Sequence, residues 1–136
     1  MRLLRRLRGE RASATLELAL VAPVLLLLVV GLLQFALWYH AQQVALASAQ
    51  EGARVAAAEN GTLAGGEART EGLLRAGLGS EGRNASVSGG TGRAAVMVEV
   101  RGSIRMLFPW PGGLSLPIHA RAVAYPERFV PAEGPP

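Results

Sequence analysis

The 136-residue chain has no cysteine, no lysine and no aspartate, and aromatic residues make up only 5% of it. Without cysteine there is no disulfide scaffold, no thiol nucleophile and no thiolate site for zinc or an iron–sulfur cluster. His40 and His119 are the only imidazoles, and no motif brings a serine or glutamate into a defined relation with His119. All 14 basic residues are arginine and all 10 acidic residues are glutamate, a usage that GC-rich coding often gives. The length allows one small domain.

What the chain does have is apolar residues, 50% of the total, and they are concentrated. Leu18 to Tyr39 is a run of 22 residues without a formal charge. As a helix it would reach about 33 Å, enough to cross a hydrocarbon layer of about 30 Å. Pro23, Gly31 and Gln34 interrupt it, breaks that a membrane helix tolerates where a neighbouring helix packs. Trp38 and Tyr39 close it with the ring types that favour the headgroup layer.

The net charge of +4 resides in the first twelve residues, where five arginines face Glu10; beyond them nine arginines balance nine glutamates. A nucleic-acid surface would instead place its cations on the folded part, with stacking aromatics or a reading helix, so nucleic acid is not an expected partner. The same asymmetry predicts a cytoplasmic N-terminus and export of the chain from Ala41 onward.

Past the apolar run, Ala41 to Ala58 favours continued helix, with Asn60-Gly61 as a left-handed stop. Ala41, Ala45, Ala49, Ala53 and Ala57 recur at every fourth position with Gly52 beside them. Such a row either admits another backbone at close range or reflects an abundance of a good helix former. Ala45-Leu46-Ala47 and Ala47-Ser48-Ala49 resemble signal-peptidase sites, although the apolar run exceeds the 7–15 residues usual for that role. A secreted binding module and an uncleaved signal-anchored protein therefore stand as alternatives.

Glu17 lies at the lip of the apolar run, where a carboxylate is costly unless it snorkels, is protonated or finds a cation. Arg8-Gly9-Glu10-Arg11-Ala12-Ser13-Ala14-Thr15-Leu16-Glu17-Leu18-Ala19-Leu20-Val21-Ala22-Pro23, the aliphatic run behind it and Gln50-Glu51-Gly52-Ala53-Arg54-Val55-Ala56-Ala57-Ala58 resemble the TadE-like pseudopilins of the Flp (Tad) pilus system. The resemblance implies that a membrane-embedded prepilin peptidase trims the basic leader and leaves a glutamate at the fifth mature position. Counting back from Glu17 puts the cut between Ala12 and Ser13, with alanine where the family generally has glycine. Cleavage after Gly9 would leave Glu17 eighth. By analogy with type IV pilins, a new α-amino group on Ser13 would pair with Glu17 of an adjacent subunit. Pro23, Gly31, Ala41, Ala45, Ala49, Gly52, Ala53 and Ala57 are the expected packing positions against other pilin-like helices and the assembly platform.

Residues 60–136 are near the lower size for folding without a disulfide or metal. The spacing predicts a short helix over 67–78 with Leu73, Leu74 and Leu78 inward and a Glu71 to Arg75 pair. Strands are expected weakly at 84–88, and clearly at 94–101 and 116–125, the last with Pro117 at an edge. Gly89-Gly90-Thr91-Gly92-Arg93 reads as a hairpin turn, since it lacks the residues of a phosphate loop. Phe108 to Gly113 reads as a rigid loop, with Trp110 as either an exposed binding residue or a plug for the head.

The expected fold is α+β: a long pilin-like helix, transmembrane and continuing outside, followed by a small head with one short helix and a roughly three-stranded antiparallel sheet. The divisions are a basic leader (1–12), membrane and stalk helix (13–59), extracytoplasmic head (60–128) and disordered tail (129–136). The expected protein is a non-enzymatic, single-pass pseudopilin or minor pilin, with no cofactor, metal or small-molecule substrate.

Overall fold

A computed structural model of the chain describes residues 2–92, 95–107 and 113–126, with side chains described from Leu16 onward. One 56-residue helix, α1 (Arg2–Ala57), is followed by α2 (Leu63–Leu78), α3 (Ser80–Arg83) and strands β1 (Ser86–Thr91), β2 (Val96–Arg105) and β3 (Ser115–Ala124). The mixed α+β class with a three-stranded antiparallel sheet is the one the sequence predicts. The chain divides into two compact units, Met1–Ala36 and Leu37–Pro136, so the boundary falls inside α1.

In the first unit α1 continues through Pro23, and Leu16, Leu18, Leu20, Leu25 and Leu32 are each more than half exposed. Leaving such side chains in water forfeits roughly 1.5–3 kcal/mol apiece. The stretch from Leu16 to Ala36 is about 31 Å of helix, close to the thickness of a hydrocarbon layer. The helix is long and apolar enough to cross a membrane.

The second unit is built on the period-two pattern of β2 and β3. Val96, Val98 and Val100 are buried while Met97, Glu99 and Arg101 face outward. On β3, Ile118, Ala120 and Ala122 are buried and His119, Arg121 and Val123 are exposed. Pairing Val98 with Ala122 and Val100 with Ala120 brings the two inner rows together as one apolar surface. Ala41, Ala45, Ala49 and Ala53 of α1 join that surface, with Leu74 of α2, in one core cluster.

Here the structure differs from the sequence reading in a way that matters. The alanine row is not left open for a neighbouring helix; the chain's own sheet and α2 cover it, and Ala41, Ala45 and Ala49 have no exposed surface. The sequence shows which helix face is smooth but cannot show what fills it. The stalk from Leu37 onward thus belongs to the head's core, whereas composition places the start of the head at Asn60.

Several local expectations also shift. α1 ends at Ala57, and Gly61 is not left-handed: among the described residues only Gly79 (φ 57°) and Gly113 (φ 63°) have positive φ. Gly61 is needed for close approach, since its N–H donates to the Ala58 carbonyl at 2.8 Å and a Cβ would run into the Val55 carbonyl. α2 starts at Leu63, because the Thr62 hydroxyl accepts from the Gly65 N–H at 3.0 Å as an N-cap. Leu74 is buried, while Leu73 and Leu78 are half-buried. Glu71 and Arg75 pair at 2.8 Å as expected. Gly89, Gly90 and Thr91 belong to β1, opposite Val98, Met97 and Val96, and the hairpin turn comes after them, where the Gly92 N–H donates to the Ala95 carbonyl at 2.8 Å. Trp110, Arg93 and the tail 129–136 lie outside the described residues.

Both edges of the sheet are capped by helix side chains. On the β3 edge, Trp38 Nε1 donates to the Pro117 carbonyl at 3.0 Å, and Gln42 Oε1 accepts from the His119 N–H at 3.1 Å. Trp38 and Gln42 are one helical turn apart, so a single face of α1 serves both. Pro117 itself has no N–H to leave unpaired, as suits an edge strand. On the β1 edge, Glu67 of α2 accepts from the Gly89 N–H at 2.6 Å. These caps occupy backbone groups that would otherwise template pairing with another chain.

Candidate functional site

The sequence-predicted positions separate into two groups. Ala12 and Ser13 lie within α1, where only the backbone is described. Glu17 and Pro23 are exposed, and a Cβ placed on Gly31 would meet nothing within 4 Å. This open surface belongs to the first unit. Ala41, Ala45, Ala49, Gly52, Ala53 and Ala57 are buried in the second.

Gly52 shows what the buried group does. A Cβ there would collide with Thr70 Oγ1 and come within 2.7 Å of the Gly66 carbonyl; one on Gly66 would come within 2.7 Å of the Ala56 side chain. α1 and α2 therefore cross with glycine against glycine, and Thr70 Oγ1 ties the crossing by donating to the Gly66 carbonyl at 2.9 Å, with the Ser48 carbonyl at 3.3 Å. Sequence reasoning placed Gly52 in a packing surface but missed Gly66 and Thr70. Their spacing of four, with Leu74 four residues further on, was the available signal.

The outer face of the sheet carries an ionic cluster. Glu99 Oε1 accepts from Arg101 Nε at 2.6 Å and lies 2.7 Å from His119 Nε2 on the neighbouring strand. His119 is thus engaged on both sides, its ring by Glu99 and its N–H by Gln42. Hydrogen bonding from His119, then from Arg101, holds the Glu99 carboxyl below the usual carboxylate range. A lowered folded-state value means stability that is present above the unfolded carboxylate pKa and lost as pH falls through the folded one. Glu99→Gln is accordingly expected to flatten the acid-side fall in melting temperature below about pH 4 relative to the parent. Tryptophan fluorescence of the full chain in detergent, melted across a pH series, measures this. Parallel acid limbs for the two chains would contradict it.

This cluster ties β2 to β3, since the Glu99 carboxylate contacts both Arg101 on its own strand and His119 on the next. Among the described residues no group of three or more histidines, cysteines or acidic residues is placed to hold a metal ion. The distinctive surface is the long helix itself, with exposed apolar residues from Leu16 to Leu33 and a buried alanine row from Ala41.

Comparison with protein families returns a match over that surface, residues 12–54, to the family described as TadE-like protein. Over this stretch the chain is similar to TadE-like proteins. The match covers about a third of the sequence and stops three residues short of the end of α1. It takes in Ala12, Glu17, Pro23, Gly31 and the alanine row as far as Ala53, whereas the sheet and α2 lie outside it. A comparison with curated proteins and another with solved structures found no match. Similarity to the TadE-like family implies involvement in Tad pilus assembly, and the apolar half of α1 is compatible with membrane anchoring.

Proposed function

We propose that this TadE-like chain is a pseudopilin or minor pilin-like subunit, inserted by α1 with its arginine-rich N-terminus in the cytoplasm and its second unit outside the membrane. The observation that carries the reading is the change along α1, from exposed apolar residues between Leu16 and Leu33 to a row of buried alanines that begins at Ala41, within the stretch that matches the family. Lateral contact with other pilin-like subunits is then assigned to the first unit, around Pro23 and Gly31, because the alanine row is already used. Small residues that let membrane helices approach closely belong in that place.

Prepilin peptidase is the proposed processing partner, cutting between Ala12 and Ser13. Removal of Arg2, Arg5, Arg6, Arg8 and Arg11 deletes the charges that anchor the N-terminus to the cytoplasmic face and eases withdrawal of the helix from lipid. Glu17 would then meet the new amino group of an adjacent subunit, each charge offsetting the other's desolvation.

Mass spectrometry of the mature N-terminus from expressing cells tests the proposal. Ser13 is the expected first residue, becoming Met1 or Arg2 when the prepilin peptidase is deleted. A start at Ser48 or Gln50 would mean a signal-peptidase product, and an untrimmed start in wild-type cells a simple anchor. Independently, Glu17→Gln is expected to reduce recovery of the chain with other pilus components several-fold at unchanged abundance. Undiminished co-recovery would remove the charge-pairing part of the reading.

A further inference from the structure

We infer that the outer face of the sheet holds a docking groove for an extended acidic peptide of a partner protein, one that presents an apolar side chain and a carboxylate two residues apart. The groove lies within the second unit, on the side of the sheet opposite its core. Strand register sets Gly90, Met97 and Val123 in one row across the three strands and Glu99 beside Arg121 in the next. Gly90, Met97 and Val123 line a hollow of about 290 Å³, and Arg121 stands at its margin.

The hollow exists because Gly90 has no side chain. A Cβ built there would stand 3.7 Å from Met97 Cε and meet nothing else within 4 Å. The floor is apolar, and Val123 is left 49% exposed. Small-molecule sites run from roughly 300 to 1,000 Å³, so this volume suits one side chain better than a larger ligand. Arg121 and Val123 are two residues apart on the same face of β3. An extended peptide lying along the strand repeats that interval, which puts its carboxylate at Arg121 when its apolar side chain fills the hollow.

Charge decides the occupant. Glu99 is directly across the strand pair from Arg121, but its carboxylate is engaged by Arg101 at 2.6 Å and His119 at 2.7 Å. Arg121 is therefore exposed beside the hollow, with no ion pair among the described residues. On β2 and β3 the outer face sets Arg101, Arg105 and Arg121 against Glu99 alone, so its complement is acidic. A guanidinium fork accepts a carboxylate through two parallel hydrogen bonds. An inorganic anion would use the cation and leave the apolar floor bare. Single-stranded nucleic acid stacks on aromatic rings, and among the described residues none lines the hollow.

The test is a titration of the isotope-labelled full chain, held in nanodiscs of zwitterionic phospholipid, with a capped hexapeptide carrying leucine and glutamate two positions apart. Saturable amide shifts are expected at Gly90, Met97, Arg121 and Val123. Arg121→Gln should weaken binding about three- to five-fold, as befits an exposed arginine–carboxylate pair. Glutamine in place of the peptide's glutamate should cost the parent chain as much, and the two changes together no more than either alone. Gly90→Val fills the hollow with a residue that suits a strand, and it is expected to abolish the shifts while the rest of the amide spectrum stays that of the parent. The peptide variants leave the protein unaltered, so the outcome does not hang on the folding of any one variant. No saturable shift, or shifts that survive Gly90→Val in a folded chain, overturns the groove. Equal binding of a peptide with serine in place of leucine, or the same shifts from inorganic phosphate alone, reduces Arg121 to a bare anion contact and overturns it as well. Displacement of the peptide by an oligonucleotide of equal charge at equal concentration overturns the assignment to peptide.

Discussion

A chain begun at Gln50, as cleavage after Ala49 would leave it, is expected not to fold, whereas one begun at Leu37 is expected to retain a cooperative melt. The shorter chain lacks Ala41, Ala45 and Ala49, which lie against Val98, Val100 and Ile118 in the core, and it lacks the Trp38 and Gln42 caps on β3. What remains is a three-stranded sheet with much of one apolar face uncovered and one edge uncapped. A domain this small has only about 5–15 kcal/mol to lose, and the uncovered valines and isoleucine alone represent several. Near-UV circular dichroism and amide-proton dispersion of both chains decide the matter. A native-like spectrum from the Gln50 chain would show that the sheet and α2 suffice and would return the secreted-module alternative to contention.

That expectation follows from the part of the molecule that sequence reading treated as a stalk. The apolar run of α1 and the valine alternation of β2 were legible because each states its own environment: a side chain facing lipid or core must be apolar, and its period reports the element. The alanine row states only that something comes close. Whether the neighbour is another subunit or the chain's own sheet depends on contacts between residues nearly eighty positions apart, such as Trp38 with Pro117 and Gln42 with His119, which no local pattern encodes. Gly89 and Gly90 misled for a related reason. Glycine is a turn signal by propensity, but here it forms strand because the Leu63 side chain packs where a Cβ on Gly89 would stand and Glu67 caps its N–H. Thr62 was readable as a helix cap and would have extended α2 to its observed start. Of the candidate site, the residue types were visible throughout. Their division into an open membrane surface and a filled intramolecular one was not.

Two glycines on helices carry the last test of that division, since the same substitution should act with opposite sign at each. Gly52→Ala puts a methyl group against the Thr70 hydroxyl and the Gly66 carbonyl, and neither yields easily: one is backbone, and the other is held by hydrogen bonds. Overpacking of this kind costs about 1–3 kcal/mol, against which the gain in helix propensity offsets up to about 1. Gly52→Leu adds three more carbons to the same space and is expected to cost about 3 kcal/mol or more, enough to depress the head's melting temperature by well over ten degrees. Gly72 is also helical, but it is exposed, and a Cβ there meets nothing within 4 Å. Gly72→Ala should therefore stabilise by about 0.5–1 kcal/mol through the loss of unfolded-state freedom alone. Thermal melts of the three variants in one detergent compare them directly. If Gly52→Leu were tolerated as well as Gly72→Ala, the close crossing of α1 over α2 would be wrong. The alanine row would then be free again for a neighbouring subunit, and the assignment of lateral contacts to Pro23 and Gly31 would lose its basis.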